Sequence, residues 1–202
     1  MEAAGSPPRT ERCDWTAAPA SRGDAAWERL RALVRERAYE RREVTLASGK
    51  TSDFYIDGKQ VTLDPEGARL LARIILRGLD GQPVDAIGGL TIGADPIAGA
   101  VIAASADTAR PLKGFIVRKQ AKAHGKQRQI EGPLRGGDRV VVVEDVVTTG
   151  GSILDAVRAV EEYGCQVTGI IVLVDRQEGG REALEQAGYP VWAIMTRRDV
   201  EE

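Results

Sequence analysis

The chain has 202 residues, 43% of them apolar and 29% charged, which is the composition of an ordinary folded domain. Its 28 Lys and Arg against 30 Asp and Glu leave a formal charge of −2, which argues against a basic protein that coats nucleic acid. No stretch approaches the ~20 uninterrupted apolar residues of a membrane helix, and Met1-Glu2-Ala3-Ala4-Gly5-Ser6-Pro7-Pro8 has no apolar run behind a basic leader, so neither a membrane span nor a secretory signal is expected. Cys13 and Cys165 fit neither a disulfide framework nor a metal-ligand spacing, so a reducing cytoplasm without structural zinc is the expected setting.

Residues 1–23 read as a disordered or loosely docked tail, because Pro7, Pro8, Pro19 and scattered Gly break any period; Trp15 is the one residue there with something to bury. From Asp24, a good N-cap, Trp27, Leu30, Leu33 and Val34 recur at helical spacing. Residues 43–61 read as short strands around a turn at Ser48-Gly49-Lys50. After Asp64-Pro65 the rhythm alternates: helix over 68–79, strand over 84–88, helix over 96–106, strand over 114–117, strand over 139–143, helix over 152–163 closed by Gly164, strand over 167–174, helix over 181–187 and strand over 191–195. Near-continuous Val/Ile runs alternating with amphipathic helices indicate a mostly parallel sheet covered on both faces. The expected organisation is one α/β domain over 24–202, with a small piece at about 43–61 and a core at about 64–196.

The most informative stretch is Val140-Val141-Val142-Val143-Glu144-Asp145-Val146-Val147-Thr148-Thr149-Gly150-Gly151-Ser152. A buried strand ends in two carboxylates, and a hydroxyl- and glycine-rich turn leads into a helix. In open α/β sheets ligands bind beyond the carboxyl ends of the strands, where the next helix presents unpaired N–H groups. Gly150 and Gly151 let amides close on an anion, Thr148, Thr149 and Ser152 add hydroxyls, and the helix macrodipole favours a phosphate. Two acids repel a bare phosphate but suit a sugar phosphate, whose diol donates hydrogen bonds to them, or a substrate-held magnesium ion. The Gly-Lys-Ser/Thr ending of an ATP-binding loop is missing. The plainer alternative is that Asp145 caps locally and the glycines merely turn the chain.

Residues 118–138 have no apolar period, and connections above ~12–15 residues in a compact domain are usually lids or binding loops. Arg118, Lys119, Lys122, Lys126 and Arg128, with the only histidine, His124, precede the first acid, Glu131. Cations brought onto a departing pyrophosphate stabilise the transition state more than the ground state, and a closing lid excludes water. Taken alone this is a solvated basic loop; beside the acid pair it points to a magnesium pyrophosphate ester.

The segment 140–152 resembles the phosphoribosyl pyrophosphate motif of the type I phosphoribosyltransferases, and Arg118-Lys119-x-x-Lys122-x-His124-Gly125 resembles the catalytic loop of their orotate-specific branch. Leu46 to Asp57 is similar to that branch's N-terminal hood, Gly88 to Pro96 to its pyrophosphate loop, and Val174 to Gly180 to its late-strand arginine. The likeness covers about 30–196. It implies the type I phosphoribosyltransferase fold, a central mostly parallel sheet flanked by helices under a hood. It also implies a reaction, in UMP biosynthesis: orotate plus phosphoribosyl pyrophosphate gives orotidine 5′-monophosphate plus pyrophosphate, with Mg2+ held mainly through substrate oxygens.

By the same resemblance, Arg118, Lys119, Lys122 and His124 contact the pyrophosphate, with Lys122 and His124 catalytic. Glu144, Asp145, Val146, Val147, Thr148, Thr149, Gly150, Gly151 and Ser152 hold the ribose 5-phosphate. Asp145 is also a catalytic partner of the ribose, and a proton role for it stays open. Thr148 touches orotate, Arg176 pairs with its carboxylate, and Phe54 and Tyr55 line the base pocket; the alternatives are a surface arginine and core aromatics. A homodimer whose basic loop serves the neighbouring site is implied, with no nucleic acid or membrane partner. Two departures stand out: other members carry lysine where this chain has Ala47 or Gly93, and Lys50 is a candidate substitute. The rival readings are a transferase for another nucleobase and a regulator that senses phosphoribosyl pyrophosphate.

Overall fold

The computed structural model describes residues 12–16, 22–45, 51–119 and 129–202. The chain begins with helix α1 (Ala25–Leu33), capped by the Asp24 carboxylate on the amides of Ala26 and Trp27 and continued by a π-helical turn, Val34–Ala38. A small antiparallel hood follows, made of β1 (Tyr39–Glu40), β2 (Val44–Thr45), β3 (Thr51–Ser52) and β4 (Tyr55–Ile56). β2 pairs with β3 and β1 with β4. The expected turn at Ser48-Gly49-Lys50 lies outside the described residues. Instead of a last hood strand, residues 59–62 form a single helical turn, α2 (Lys59–Thr62).

The core comprises α3 (Pro65–Leu79), β5 (Ala86–Leu90), α4 (Ala94–Ser105), β6 (Lys113–Val117), β7 (Ile130–Glu131), β8 (Arg139–Val147), α5 (Gly151–Glu162), β9 (Gln166–Asp175), α6 (Gly180–Gln186), β10 (Val191–Thr196) and α7 (Arg197–Glu201). α3 starts earlier than the periodicity predicts because Pro65 sits in its first turn and the Asp64 carboxylate accepts from Glu66 N and Gly67 N, each at 3.0 Å. Within the core, two elements escaped the sequence reading. α7 is polar except for Val200 and is held by a capping box between Thr196 and Asp199. β7 is two residues long and pairs antiparallel with β6 through Ile116↔Glu131 and Val117↔Ile130.

The six-stranded sheet runs β10-β9-β8-β5-β6-β7, parallel except at β7. Alternation along β8 explains why it must be covered twice: Val141 and Val143 belong to a cluster with Leu30, Leu71, Ile74 and Ile97, while Val140 and Val142 pack with Ile153, Val157, Val160 and Leu184. α1, α3 and α4 shield one face, α5 and α6 the other.

Residues 12–16 lie on the sheet. Cys13, 5% exposed, donates its amide to Thr168 O (2.9 Å) on the stretch of β9 that precedes its pairing with β10. The Arg12 guanidinium bonds the Val167 carbonyl and rides over the Tyr189 ring, and Trp15 packs on Trp192 with centroids 5.6 Å apart while its Nε1 donates to Pro190 O (3.2 Å). Burial pushes the Cys13 thiol up to about 11, so it acts as packing material rather than as a nucleophile. Trp15→Ala is expected to lower stability by about 2 kcal/mol, less than a fully buried aromatic truncation. A thermal melt should therefore fall by roughly 4–8 °C while activity at room temperature is retained.

Candidate active site

In the sheet, the chain moves from β5 to β6 on one side and then returns to place β8 on the other. The gap between the carboxyl ends of β5 and β8 is thus a topological switch point, where open α/β sheets bind ligands. Pairing between these strands ends at Gly88↔Val142, whereas β8 stays paired to β9 as far as Val147↔Asp175. From Val143 onward β8 has one open edge. Glu144 and Asp145 stand there, inside the strand rather than after it as the sequence reading had placed them.

Both acids are only 8% exposed. Two glycine backbones press on them: a Cβ on Gly93 would lie 1.9 Å from Glu144 Oε1 and 2.6 Å from Asp145 Oδ1, and one on Gly58 would lie 2.7 Å from Asp145 Cβ. Glu144 Oε1 accepts from Asp145 N (3.2 Å), and Asp145 Oδ1 from Val146 N (3.0 Å). Burial, then the neighbouring Asp145 charge, pushes the Glu144 carboxyl up to about 8, so the pair retains a proton near neutrality. Lys59 reaches over the pair from α2, 3.6 Å from Asp145 Oδ2 and 2.6 Å from Asp57 Oδ1.

Beyond Val147 the chain turns through Thr148 and Thr149, and Gly150 has φ +80°, a left-handed conformation that favours glycine; a Cβ there would also meet Gly180 O at 3.0 Å. α5 begins at Gly151 with no side-chain cap, and Thr149, Gly151 and Ser152 are exposed. The free amides, the hydroxyls and the positive helix end make an anion seat one turn away from the acids. Arg176, one residue past β9, donates its amide to Val147 O (3.1 Å) and is 3% exposed, its guanidinium bonded to Glu178 Oε1 at 2.8–2.9 Å and stacked 4.2 Å from the Phe54 ring centroid.

The structure therefore brings together Glu144 to Ser152, Arg176 and the hood residue Phe54. Phe54 is 1% exposed, and Tyr55 is half-buried under Arg42. Arg118 and Lys119 are not in contact with this group. Arg118 pairs its backbone with Gln129 and its guanidinium with Glu131 (3.5 Å), and Lys119 lines a groove with Leu90, Gln129, Asp155 and Arg158 on the α5 side. Lys122 and His124 lie outside the described residues, as do Ala47 and Lys50. Sequence reasoning missed Gly58, Lys59 and Arg197. Arg197 lies 3.8 Å from the Phe54 ring centroid and bonds Asp53, tying hood to core. The run Asp57-Gly58-Lys59 was the only available signal for the first two.

A phosphoribosyl transferase domain model matches residues 60–187. Orotate phosphoribosyltransferases of Aquifex aeolicus and Sorangium cellulosum are each 47% identical to the chain, over 83% and 88% of it and 93% and 94% of their own lengths. The chain belongs to the orotate phosphoribosyltransferase family. The fold agrees: the orotate phosphoribosyltransferase of Mycobacterium tuberculosis H37Rv, solved with Fe(III) dicitrate, aligns at TM-score 0.77 and 40% identity over 88% of this chain and 99% of that one. The same enzyme in complex with 5-phospho-α-D-ribosyl 1-diphosphate aligns at TM-score 0.71 and 33% identity, covering 87% and 91%. An adenine phosphoribosyl transferase from Trypanosoma brucei, 11% identical with TM-score 0.67, shares the fold alone. Members of this family are pentosyl transferases.

The raised Glu144 carboxyl has a consequence for pH. Between the ordinary carboxylate range and about pH 8, the unfolded chain releases this proton while the folded chain keeps it, so the native state binds more protons and stability falls as pH rises. Glu144→Gln should flatten that fall by roughly 1–3 kcal/mol, read as a smaller difference between melts at pH 5 and pH 8.5 than in the unsubstituted chain.

Proposed function

We propose that the chain transfers ribose 5-phosphate from phosphoribosyl pyrophosphate to orotate, releasing pyrophosphate and forming orotidine 5′-monophosphate. The observation that carries this reading is the acid pair at the open edge of β8, set one turn before an uncapped helix N-terminus. The 5-phosphate takes the amides and hydroxyls of Thr148 to Ser152, and the ribose diol donates to Glu144 and Asp145. The ring nitrogen of orotate forms its bond to the anomeric carbon as the bond to pyrophosphate breaks, and the nitrogen's proton is lost to solvent or, at most, to Asp145.

Arg176 suits the orotate carboxylate: its planar fork is oriented by Glu178 and by the face of Phe54, so few rotamers are lost on binding. Thr148, the first residue of the turn after β8, is assigned a contact with the base. The four loop residues Arg118, Lys119, Lys122 and His124 are assigned to the leaving group, Lys122 foremost. Magnesium carried in by substrate oxygens would find a carboxylate donor in the acid pair at the open edge of β8, Asp145 foremost. When bound it neutralises charge on the departing pyrophosphate.

A homodimer is part of the proposal. Arg118 and Lys119 keep to the stem of the basic connection, and Ile116 (37% exposed), two residues before Arg118 on β6, and Ile92 (59%), two residues past β5, are exposed large apolar side chains, which supports a protein contact there. Ile116→Asp should convert a dimer to monomers by light scattering and reduce turnover with it. No helix of the described residues is long and apolar enough to cross a membrane, and the cytoplasm is the proposed location.

The test is the loss of orotate's ultraviolet absorbance, which should require both phosphoribosyl pyrophosphate and Mg2+ and should not be matched by uracil, adenine or hypoxanthine as acceptors. Arg176→Ala should raise KM for orotate about ten- to a hundredfold with little change for phosphoribosyl pyrophosphate. Arg176→Lys should recover little, since an ammonium cannot reproduce the fork. An unchanged orotate KM would remove the carboxylate assignment.

A further inference from the structure

The roles assigned so far leave Lys59 unused, although it is the described basic residue that ion-pairs with the acid pair. Its side chain is 39% exposed, and an ion pair of that kind contributes only ~0–1 kcal/mol to folding. A structural role is therefore a poor account of an ammonium held 3.6 Å from Asp145 and 2.6 Å from Asp57 at the mouth of the site. Partial burial works against its charge, and the Asp57 hydrogen bond with the Asp145 charge outweighs that, so Lys59 remains cationic.

The electrostatics of the site favour such a group. A sugar diphosphate brings its negative arm close to the two acids that must receive its diol, and the α5 terminus is engaged with the phosphate at the other end. Gly93, against Glu144 Oε1 and Asp145 Oδ1 where Lys59 faces Asp145 Oδ2, contributes no side chain, and a Cβ there would collide with Glu144. Gly58 brings the chain directly against Asp145, so the residue after it starts at the pair and its four-carbon stem needs no extension to clear it. An ammonium has three donors in a rotatable head. One can stay on Asp57 while the others exchange Asp145 for a phosphoryl oxygen.

We propose that Lys59 is a substrate-binding residue of this site: its ammonium, anchored by Asp57, passes from Asp145 to the diphosphate arm of phosphoribosyl pyrophosphate as the ribose diol takes Asp145. The proposal rests on the transferase reading above and adds to it a protein cation from α2, independent of the basic connection.

Lys59→Met and Lys59→Arg, assayed as full-length protein, provide the test. Lys59→Met should raise KM for phosphoribosyl pyrophosphate, and KM for pyrophosphate in the reverse direction, by about tenfold or more, with orotate KM within about twofold and an unshifted thermal melt. Lys59→Arg should restore much of the loss. A phosphoribosyl pyrophosphate KM unchanged in Lys59→Met overturns the proposal, as does an equal rise in both substrates' KM accompanied by a lower melt, which is the signature of a structural ion pair. Calorimetric titration with phosphoribosyl pyrophosphate separates this from the wider reading. If the unsubstituted chain binds the sugar diphosphate but never consumes orotate, the choice of base fails, while weakened binding by Lys59→Met still supports the role of Lys59.

Discussion

The site depends on two adjacent carboxylates held out of water on the last part of one strand. β8 is an ordinary core strand up to Val143, its valines dividing between two apolar clusters. It then loses its β5 partner at Val142 while keeping β9, and this asymmetric ending lets Glu144 and Asp145 be both buried and approachable. Burying two like charges side by side would be untenable if both were ionised. Retention of a proton by the pair, the backbone donors at Asp145 N and Val146 N, and the ammonium of Lys59 together make the arrangement stable without substrate. The two glycine backbones at 58 and 93 explain how carboxylates can be desolvated by main chain rather than by bulky side chains, leaving the mouth of the site free.

Charge is graded along the site. On the proposed function the acids stand at the sugar end; the positive terminus of α5 lies a turn beyond, and Arg176 closes the third side. Each suits a different part of an anionic substrate: hydroxyl donors, phosphoryl oxygens and a carboxylate. A net charge of −2 over the whole chain conceals this separation, which comes from where the groups sit rather than from how many there are.

Much of this was legible in the sequence, because the signals were local. Valine runs on both sides of an amphipathic helix imply a doubly covered parallel sheet, and the segment from Val140 to Ser152 contains strand, acids, turn and helix start in uninterrupted order. What escaped depended on contacts distant along the chain. β7 has two residues and acquires strand character only from its pairing with β6. α7 buries little beyond Val200 and is fixed by its capping box. Lys59 looks like a surface lysine until Gly58 is found against Asp145, eighty-seven positions away. The strand's extension through the acids was missed because carboxylates normally end a buried strand, and here pairing with β9 carries it on to Val147.

Register is what converts these separate features into one site. β8 and β9 run parallel with Val147 opposite Asp175, so the threonine turn and Arg176 leave the sheet at the same level, each one residue beyond the last pair. The Arg176 amide on Val147 O locks that level. A slip of one residue would carry Arg176 to the opposite face and away from Phe54, separating the anion seat from the guanidinium by the thickness of the sheet. The distance between the two ends of the site is therefore set by the backbone ladder of the most deeply buried strand pair, and not by flexible side chains. Arg197 extends the same logic to the hood: by holding Asp53 and stacking on Phe54 it ties a small, weakly paired sheet to the end of β10, so that the hood's aromatic arrives over Arg176 already oriented.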